Sequence, residues 1–300
     1  MIPNSNLRLH ILNTKESTLT CNFFFASQSL HLHLFYYLCI ATPPIQGLIS
    51  IMTQKPLISV ITITFNASAQ LPPTMKAVSR QSFTNFEHII IDGASTDSTI
   101  DVARKMATEN LRILSERDNG LYDAMNKGLG MAKGKYVIFL NAGDAFHSPD
   151  TLAAYAKAAE KDADIIYADT VIVDSERKMI APRHLSAPRL LTFKSFAKGM
   201  LVCHQAFMVK KDIAPKYDLA YRFSADYDWT VKCISRTTPE KCVNLNTVAI
   251  DYLNDGLTDR NKIKSLRERF NIMCRHYGVV ATVGNHLSFV IRALNRKLSK

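Results

Sequence analysis

The chain lacks most of the features that would mark a special class. Its six cysteines, at positions 21, 39, 203, 233, 242 and 274, never form Cys-x-x-Cys. That spacing excludes a zinc ribbon and a disulfide-dense scaffold, and it fits a reduced compartment. Glycine and proline number only eleven each among 300 residues, too few for a collagen-like or linker-like chain. No run of 18 clean apolar residues occurs, which excludes a polytopic membrane protein. Internal repeats, a Gly-x-Ser-x-Gly elbow and a His-Glu-x-x-His helix are all missing.

What is there reads as globular: 47% apolar and 21% charged residues at 33.7 kDa, ample for one large α/β domain with an appendage. The net charge of +11 is uneven. Residues 52–258 are nearly neutral, with 25 basic and 23 acidic side chains, whereas 259–300 hold ten basic and two acidic. A basic tail on a neutral body disfavours a nucleic-acid binder and fits an anionic lipid surface or a solvated helix face.

Three segments follow. Residues 1–51 form an N-terminal extension expected to lie outside the functional unit. No charge occurs from Ser17 to Gln54, and the apolar run Leu30–Ala41 is too short to span a bilayer. Met52 is a candidate start, because Met-Thr-Gln-Lys-Pro opens directly onto a strand. Residues 52–258 alternate strand and helix signals. Strands are expected at 57–65, 86–92, 111–115, 136–140 and from 164. Helices are expected within 66–81 and over 98–110, 121–132 and 149–161. This alternation predicts a parallel sheet covered on both faces, with ligands beyond the carboxyl ends of its strands. Residues 259–300 show two apolar stripes at helical spacing, Ile263 to Tyr277 and Val283 to Leu298, with Arg292, Arg296, Lys297 and Lys300 on the second.

Two glycine patterns are decoys. Gly128-x-Gly130-x-x-x-Gly134 has one residue too many for a dinucleotide fingerprint and precedes a strand where the fingerprint follows one. Gly130-x-x-x-Gly134-Lys135-Tyr136 is one residue short of a phosphate loop and lacks its Ser/Thr.

Four constellations fall at the carboxyl edge. Asp92-Gly-Ala-Ser-Thr-Asp97 closes the second strand, where it serves a base or ribose, or a turn and N-cap. Ser115 to Gly128 packs three acids, Arg117 and Lys127 around the turn signal Asn119-Gly120. Phe139-Leu-Asn141-Ala-Gly-Asp144 ends a buried strand in a carboxylate expected to be exposed, suited to a hard cation or to a plain turn. Ser224-Ala-Asp226-Tyr-Asp228-Trp229 places two acids at a helix start, as a general base or as dipole-favoured acids.

From Leu57 to about Asp228 these motifs resemble family 2 of the glycosyltransferases. SVITITFNA matches its first strand and loop, DGASTD its nucleotide-binding Asp motif, and SERDNGLYDAMNKG with GKYVIFLNAGD a long, specific block. They are similar to the subgroup that builds bacterial surface polysaccharides, including enzymes of colanic-acid type. The resemblance implies a GT-A fold: a Rossmann-like, mostly parallel α/β sheet with helices on both faces, here followed by C-terminal amphipathic helices. It also implies metal-dependent, inverting, hexosyl-type transfer from a nucleotide sugar to a lipid-linked glycan. The implied site is a cytoplasmic one on the inner membrane face.

Carried over by position, the resemblance puts Asp92 on the nucleobase and Asn66, Asp118, Gly120, Tyr122, Asp123, Lys127 and Asn141 along the donor pocket. Asp144 would hold Mg²⁺ or Mn²⁺, and Asp226, or alternatively Asp228, would act as base. His204 and Gln205 would meet the pyrophosphate or acceptor. Asn141 and Gly143 stand where many members have acids, and Ala225 replaces a Glu. These losses leave room for a non-catalytic nucleotide-sugar-binding relative. Nucleotidyl transfer ranks lower, because Asn66–Gln70 has none of the Gly, Lys or Arg that grip a triphosphate.

Overall fold

The computed structural model describes residues 55–254 and 262–287. The expected extension, the tail after 287 and its four crowded cations therefore lie outside the described residues.

The chain builds β1 (Ile58–Thr64), α1 (Leu71–Ser79), β2 (Phe86–Asp92), α2 (Thr99–Lys105), β3 (Leu111–Ser115), α3 (Leu121–Met131) and β4 (Tyr136–Phe139). It continues with β5 (Ala145–Phe146), α4 (Thr151–Ala159), β6 (Ile165–Val173), β7 (Met179–Pro182), β8 (Phe207–Lys210), α5 (Ala225–Ile234), β9 (Cys242–Leu253) and α6 (Lys262–Tyr277). Residues 279–287 are also helical.

β1 and β2 are buried along their whole length, which is why β1 reads as a nearly continuous β-branched run and not as an alternating one. They pair in parallel from Ile58↔Phe86 to Thr64↔Asp92, so both carboxyl ends fall on one edge. β3 joins β2 and β4 joins β1, also in parallel. Odd and even residues of β1 then serve different layers. Ile61 and Ile63 pack with Tyr122, Met125 and Leu129 of α3 and with Trp229 of α5. Ile58 and Val60 pack with Val78 of α1 and with Leu152 and Tyr155 of α4. The expected two-sided cover is present.

Beyond β4 the sheet is mixed. Its order is β3-β2-β1-β4-β8-β6-β9-β5, with β7 on β6. β8 runs antiparallel to both β4 and β6, while β6 and β9 are parallel. The parallel expectation thus describes the β3-β2-β1-β4 half, which carries the site. The helix expected over 98–110 stops at Lys105. Thr108 and Asn110 turn to each other and to the Phe86 carbonyl instead, local bonding of the kind that competes with helix.

α6 is packed on the domain through fully buried Ile272 and nearly buried Met273. Ile263 and Leu266, which belong to the expected apolar stripe, are exposed.

Candidate functional site

The edge begins where β1 ends. Asn66 takes a left-handed backbone (φ 48°), tolerated by Asn because its short amide bonds locally. Its Oδ1 accepts the Thr96 N–H at 2.9 Å, and its own N–H donates to Ser95 Oγ at 2.8 Å. Asp97 accepts the Ser68 N–H at 3.1 Å. The loops after β1 and β2 are therefore latched together by the DGASTD run.

Asp92 is fully buried. One carboxylate oxygen accepts from Thr64 Oγ1 (3.0 Å) and Ser95 Oγ, and the other from the Ser95 N–H (2.9 Å) and Ser115 Oγ (2.7 Å). Burial alone would raise its pKa, but these donors outweigh burial and hold the carboxyl below its ordinary value. All four acceptances come from the protein, so Asp92 ties β1, β2 and β3 together at the edge.

The next loop shapes itself in the same way. Asp118 accepts the Gly120 N–H at 2.8 Å, and its other oxygen lies where a Cβ on Gly93 would come within 2.6 Å. A side chain at position 93 would therefore push the Asp118 carboxylate aside where the two loops touch. Asp123 accepts the Asn119 N–H at 2.9 Å. Lys127 donates to the Arg117 carbonyl at 2.6 Å and pairs with Glu116 at 2.9 Å. The charges of this run serve mainly to build the loop.

Two distant segments converge on Asp226, in the first turn of α5. Tyr122, from α3, donates its hydroxyl to Asp226 Oδ1 at 3.1 Å. His204 Nδ1 lies 3.6 Å from Oδ2. Burial pushes the His204 pKa down despite the nearby carboxylate, so the ring stays neutral at physiological pH. Its Nε2 is buried and has no partner among the described residues. Beneath, Tyr122 stacks on Tyr217 (5.6 Å), which stacks on Trp229 (4.9 Å), a stiff floor under the carboxylate.

Asp228 faces elsewhere, since two residues along a helix are about 200° apart. It is fully buried, 2.7 Å from His276 Nε2 and 2.6 Å from Lys232 Nζ. Burial would raise its pKa, but these partners lower it. Both of its oxygens are thus taken by Lys232 and His276, whereas Asp226 meets Tyr122 and lies near His204.

Asp144 is not the exposed carboxylate that the sequence led us to expect. It is 5% exposed. Its Oδ1 accepts the Leu253 N–H at 2.7 Å and its Oδ2 accepts the Gln205 side-chain amide. Gly143, at φ +103°, turns the chain there, and Arg177 donates to the Gly143 carbonyl. Burial drives the Asp144 pKa up to about 7, and the Leu253, Gln205 and Arg177 contacts only partly offset it. The reason for the difference is β9: its last residue covers the turn, and no strand was legible there in the sequence.

A hard cation nevertheless fits this donor set. Asn141 Oδ1 is buried without a partner among the described residues, on the same turn as Asp144, whose N–H bonds the Asn141 carbonyl at 3.0 Å. No cluster of three His, Cys, Asp or Glu occurs among the described residues, so phosphates and water would complete the shell.

Gln205 also accepts the Asn141 N–H, at 2.9 Å. Adjacent residues thus serve two centres, His204 the Asp226 carboxylate and Gln205 the Asn141–Asp144 turn. The sequence reading missed Arg177 and the Leu253 N–H. An isolated Arg in a hairpin turn and a backbone donor carry no signal in sequence.

Comparison with known proteins identifies the family and the fold. The model of "Glycosyl transferase family 2" matches residues 59–217. A PGL/p-HBAD biosynthesis glycosyltransferase of Mycobacterium tuberculosis is 34% identical over 189 residues, covering 60% of this chain and 70% of its own length. An uncharacterized glycosyltransferase of the same species is 31% identical over 211 residues, covering 69% and 78%. Among solved structures, S. aureus TarS 1–349 with UDP-GlcNAc superposes at TM-score 0.59 with 16% identity, covering 77% of this chain and 73% of that one. Mannosyltransferase PcManGT from Pyrobaculum calidifontis, with GDP-Man and Mn2+, does so at 0.56 with 15% identity over 90% and 87%. At such identities the likeness is one of fold, and that fold is GT-A.

Proposed function

The chain belongs to glycosyltransferase family 2, and from that premise we propose that it transfers a hexosyl unit, with inversion, from a nucleotide sugar to a hydroxyl of a lipid-linked glycan. The observation that carries this reading is the setting of Asp226. A carboxylate that accepts from Tyr122, with His204 3.6 Å away, is placed to take a proton, whereas its neighbour Asp228 is locked in an ion pair.

In the proposed step the acceptor hydroxyl gives its proton to Asp226 while its oxygen bonds to the anomeric carbon. The bond from that carbon to the diphosphate breaks on the opposite face, and its electron pair leaves with the diphosphate. No sugar becomes linked to the enzyme, so one base suffices. Asp144 and Asn141 would hold Mg²⁺ or Mn²⁺, which when bound supplies positive charge to the diphosphate. The Mn2+ that accompanies GDP-Man in the PcManGT complex supports that choice of ion. The latched loops carrying Asn66, Asp92 and Asp118 border the donor, and most of the acceleration comes from positioning and fixed charge.

A role in surface polysaccharide synthesis, next to an anionic membrane, fits the basic tail. Val280, Val283 and Leu287 also expose apolar side chains just before that tail's cations. No helix among the described residues is long and apolar enough to cross a membrane.

The test begins with a thermal-shift panel of nucleoside diphosphates and nucleotide sugars with and without Mn²⁺, since stabilisation tracks affinity. Transfer by wild type and Asp226→Asn is then assayed with the donor so found. Asp226→Asn is expected to keep donor binding and to lose activity by roughly 100-fold or more. Full activity in that variant rejects the base. Donor binding by the wild type with neither transfer nor hydrolysis points instead to a binding relative.

A further inference from the structure

The C-terminal helix α6 lies beyond the residues matched by the family model, yet it grips the segment that presents Asp226. Glu268 accepts two backbone N–H groups just before α5, from Arg222 at 2.9 Å and Phe223 at 2.8 Å. Ser224, the residue that starts α5, donates its hydroxyl to the Ser265 carbonyl at 3.2 Å and lies 2.9 Å from Ser265 Oγ. Both serines are buried. Lys264 stands over the Phe223 ring at 5.9 Å. On the far side of the same turn, His276 bonds Asp228 at 2.7 Å. Arg222, Phe223, Ser224 and Asp228 are thus each bonded to α6 or stand against it, Tyr227 bonds Tyr277 at its end, and Asp226 carries the carboxylate of this segment that meets Tyr122 instead.

Arg222 and Phe223 immediately precede the cap residue Ser224. A Glu from another element that accepts both of their N–H groups, beside a Ser that bonds the cap residue itself, fixes where the chain enters the helix. A base must sit within hydrogen-bond reach of its proton, so a small shift of that start is costly.

We infer that α6 is a positioning element for the base, with Glu268 and Ser265 as positioning residues that set the placement of the Asp226 carboxylate. This rests on reading Asp226 as the base. It adds that the chain up to the end of α5 does not by itself make a competent site.

The experiment uses the full chain carrying Glu268→Ala, Glu268→Gln, Ser265→Ala, Asp226→Asn or, on the exposed face of α6, Arg267→Ala. Turnover is measured with the donor found by the thermal-shift panel, and binding with UDP and GDP. Glu268→Ala should lower kcat about tenfold or more, with nucleoside diphosphate affinity unchanged within about twofold. Glu268→Gln, which keeps a carbonyl acceptor, should recover part of that loss. Ser265→Ala should fall between, and Arg267→Ala should match wild type.

Full activity of Asp226→Asn removes the base reading and this inference with it. An inactive Asp226→Asn beside a Glu268→Ala of wild-type kcat overturns the positioning role alone. Loss of binding and turnover together in Glu268→Ala, in proportion to lost folded protein, also overturns it. Should Glu268→Ala fail to fold, Glu268→Gln and Ser265→Ala decide, and wild-type kcat in both rejects the inference.

Discussion

At the residue scale, identical side chains two positions apart do different work because their surroundings differ. Asp226 accepts from a tyrosine and has a neutral histidine 3.6 Å away, while Asp228 is consumed by Lys232 and His276. A third case is a buried histidine far from the chemistry. His88, in the middle of β2, is almost fully buried with only Thr62 Oγ1 beside its Nε2 at 3.0 Å. Burial lowers its pKa from 6.5 to about 4. The folded protein therefore holds the ring neutral, while the unfolded chain protonates it below pH 6.5. Stability from this group is complete above pH 6.5 and is lost as pH falls toward 4. The loss at pH 5 is about 2 kcal/mol by proton linkage. Urea unfolding at pH 7.5 and pH 5 should show that loss in wild type and show it largely gone in His88→Gln. Equal losses in both proteins would assign the acid sensitivity to other groups.

At the element scale, α3 illustrates what glycine does when it is not part of a phosphate loop. Gly128 sits where a Cβ would meet Ile61 Cγ2 at 2.5 Å, and Ile61 is fully buried and cannot give way. Gly130, two residues on, has nothing within 4 Å of the same position. In one helix, the same substitution therefore has opposite signs. Gly130→Ala should stabilise by about 0.5–1 kcal/mol through helix propensity. Gly128→Ala should destabilise by about 1–3 kcal/mol, since overpacking against β1 outweighs that gain. Urea midpoints on the two variants settle it, and a stabilised Gly128→Ala would mean that α3 is free to lift off the sheet.

The decoy pattern is thus explained by packing, and it shows which levels of structure the sequence makes legible. β1 and β4 announce themselves because strands buried on both faces are nearly continuous apolar runs. Asp226, Tyr122 and His204 are readable as residue types in a family pattern. The covering of Asp144 is not readable, because it depends on β9, where Asn244, Asn246 and a left-handed backbone at Asn246 (φ 53°) interrupt the strand pattern. The grip of α6 on Ser224 is equally hidden, since a contact across 41 residues leaves no periodic trace.

At the scale of the whole molecule, the two ends of the C-terminal segment have separable jobs. α6 is buried on one side and holds α5, so removing it costs the fold. Residues 279–300 begin with a helical stretch whose Val280 is 88% exposed, with Val283 and Leu287 also bare. Within the same stretch the sequence carries Arg292, Arg296, Lys297 and Lys300 and no acid. Each such cation contributes about 1 kcal/mol near an anionic leaflet, and added salt screens the effect. A chain ending at residue 278 should therefore fold with nearly unchanged thermal stability and turn over a soluble acceptor at the wild-type rate. Its partitioning onto vesicles rich in anionic lipid should fall by about tenfold or more in sedimentation assays. Full-length protein should detach from those vesicles in high salt and bind neutral vesicles weakly. If truncation leaves vesicle binding as it was but lowers the unfolding temperature, the exposed valines and leucine pack on protein, and the lipid-facing role is wrong.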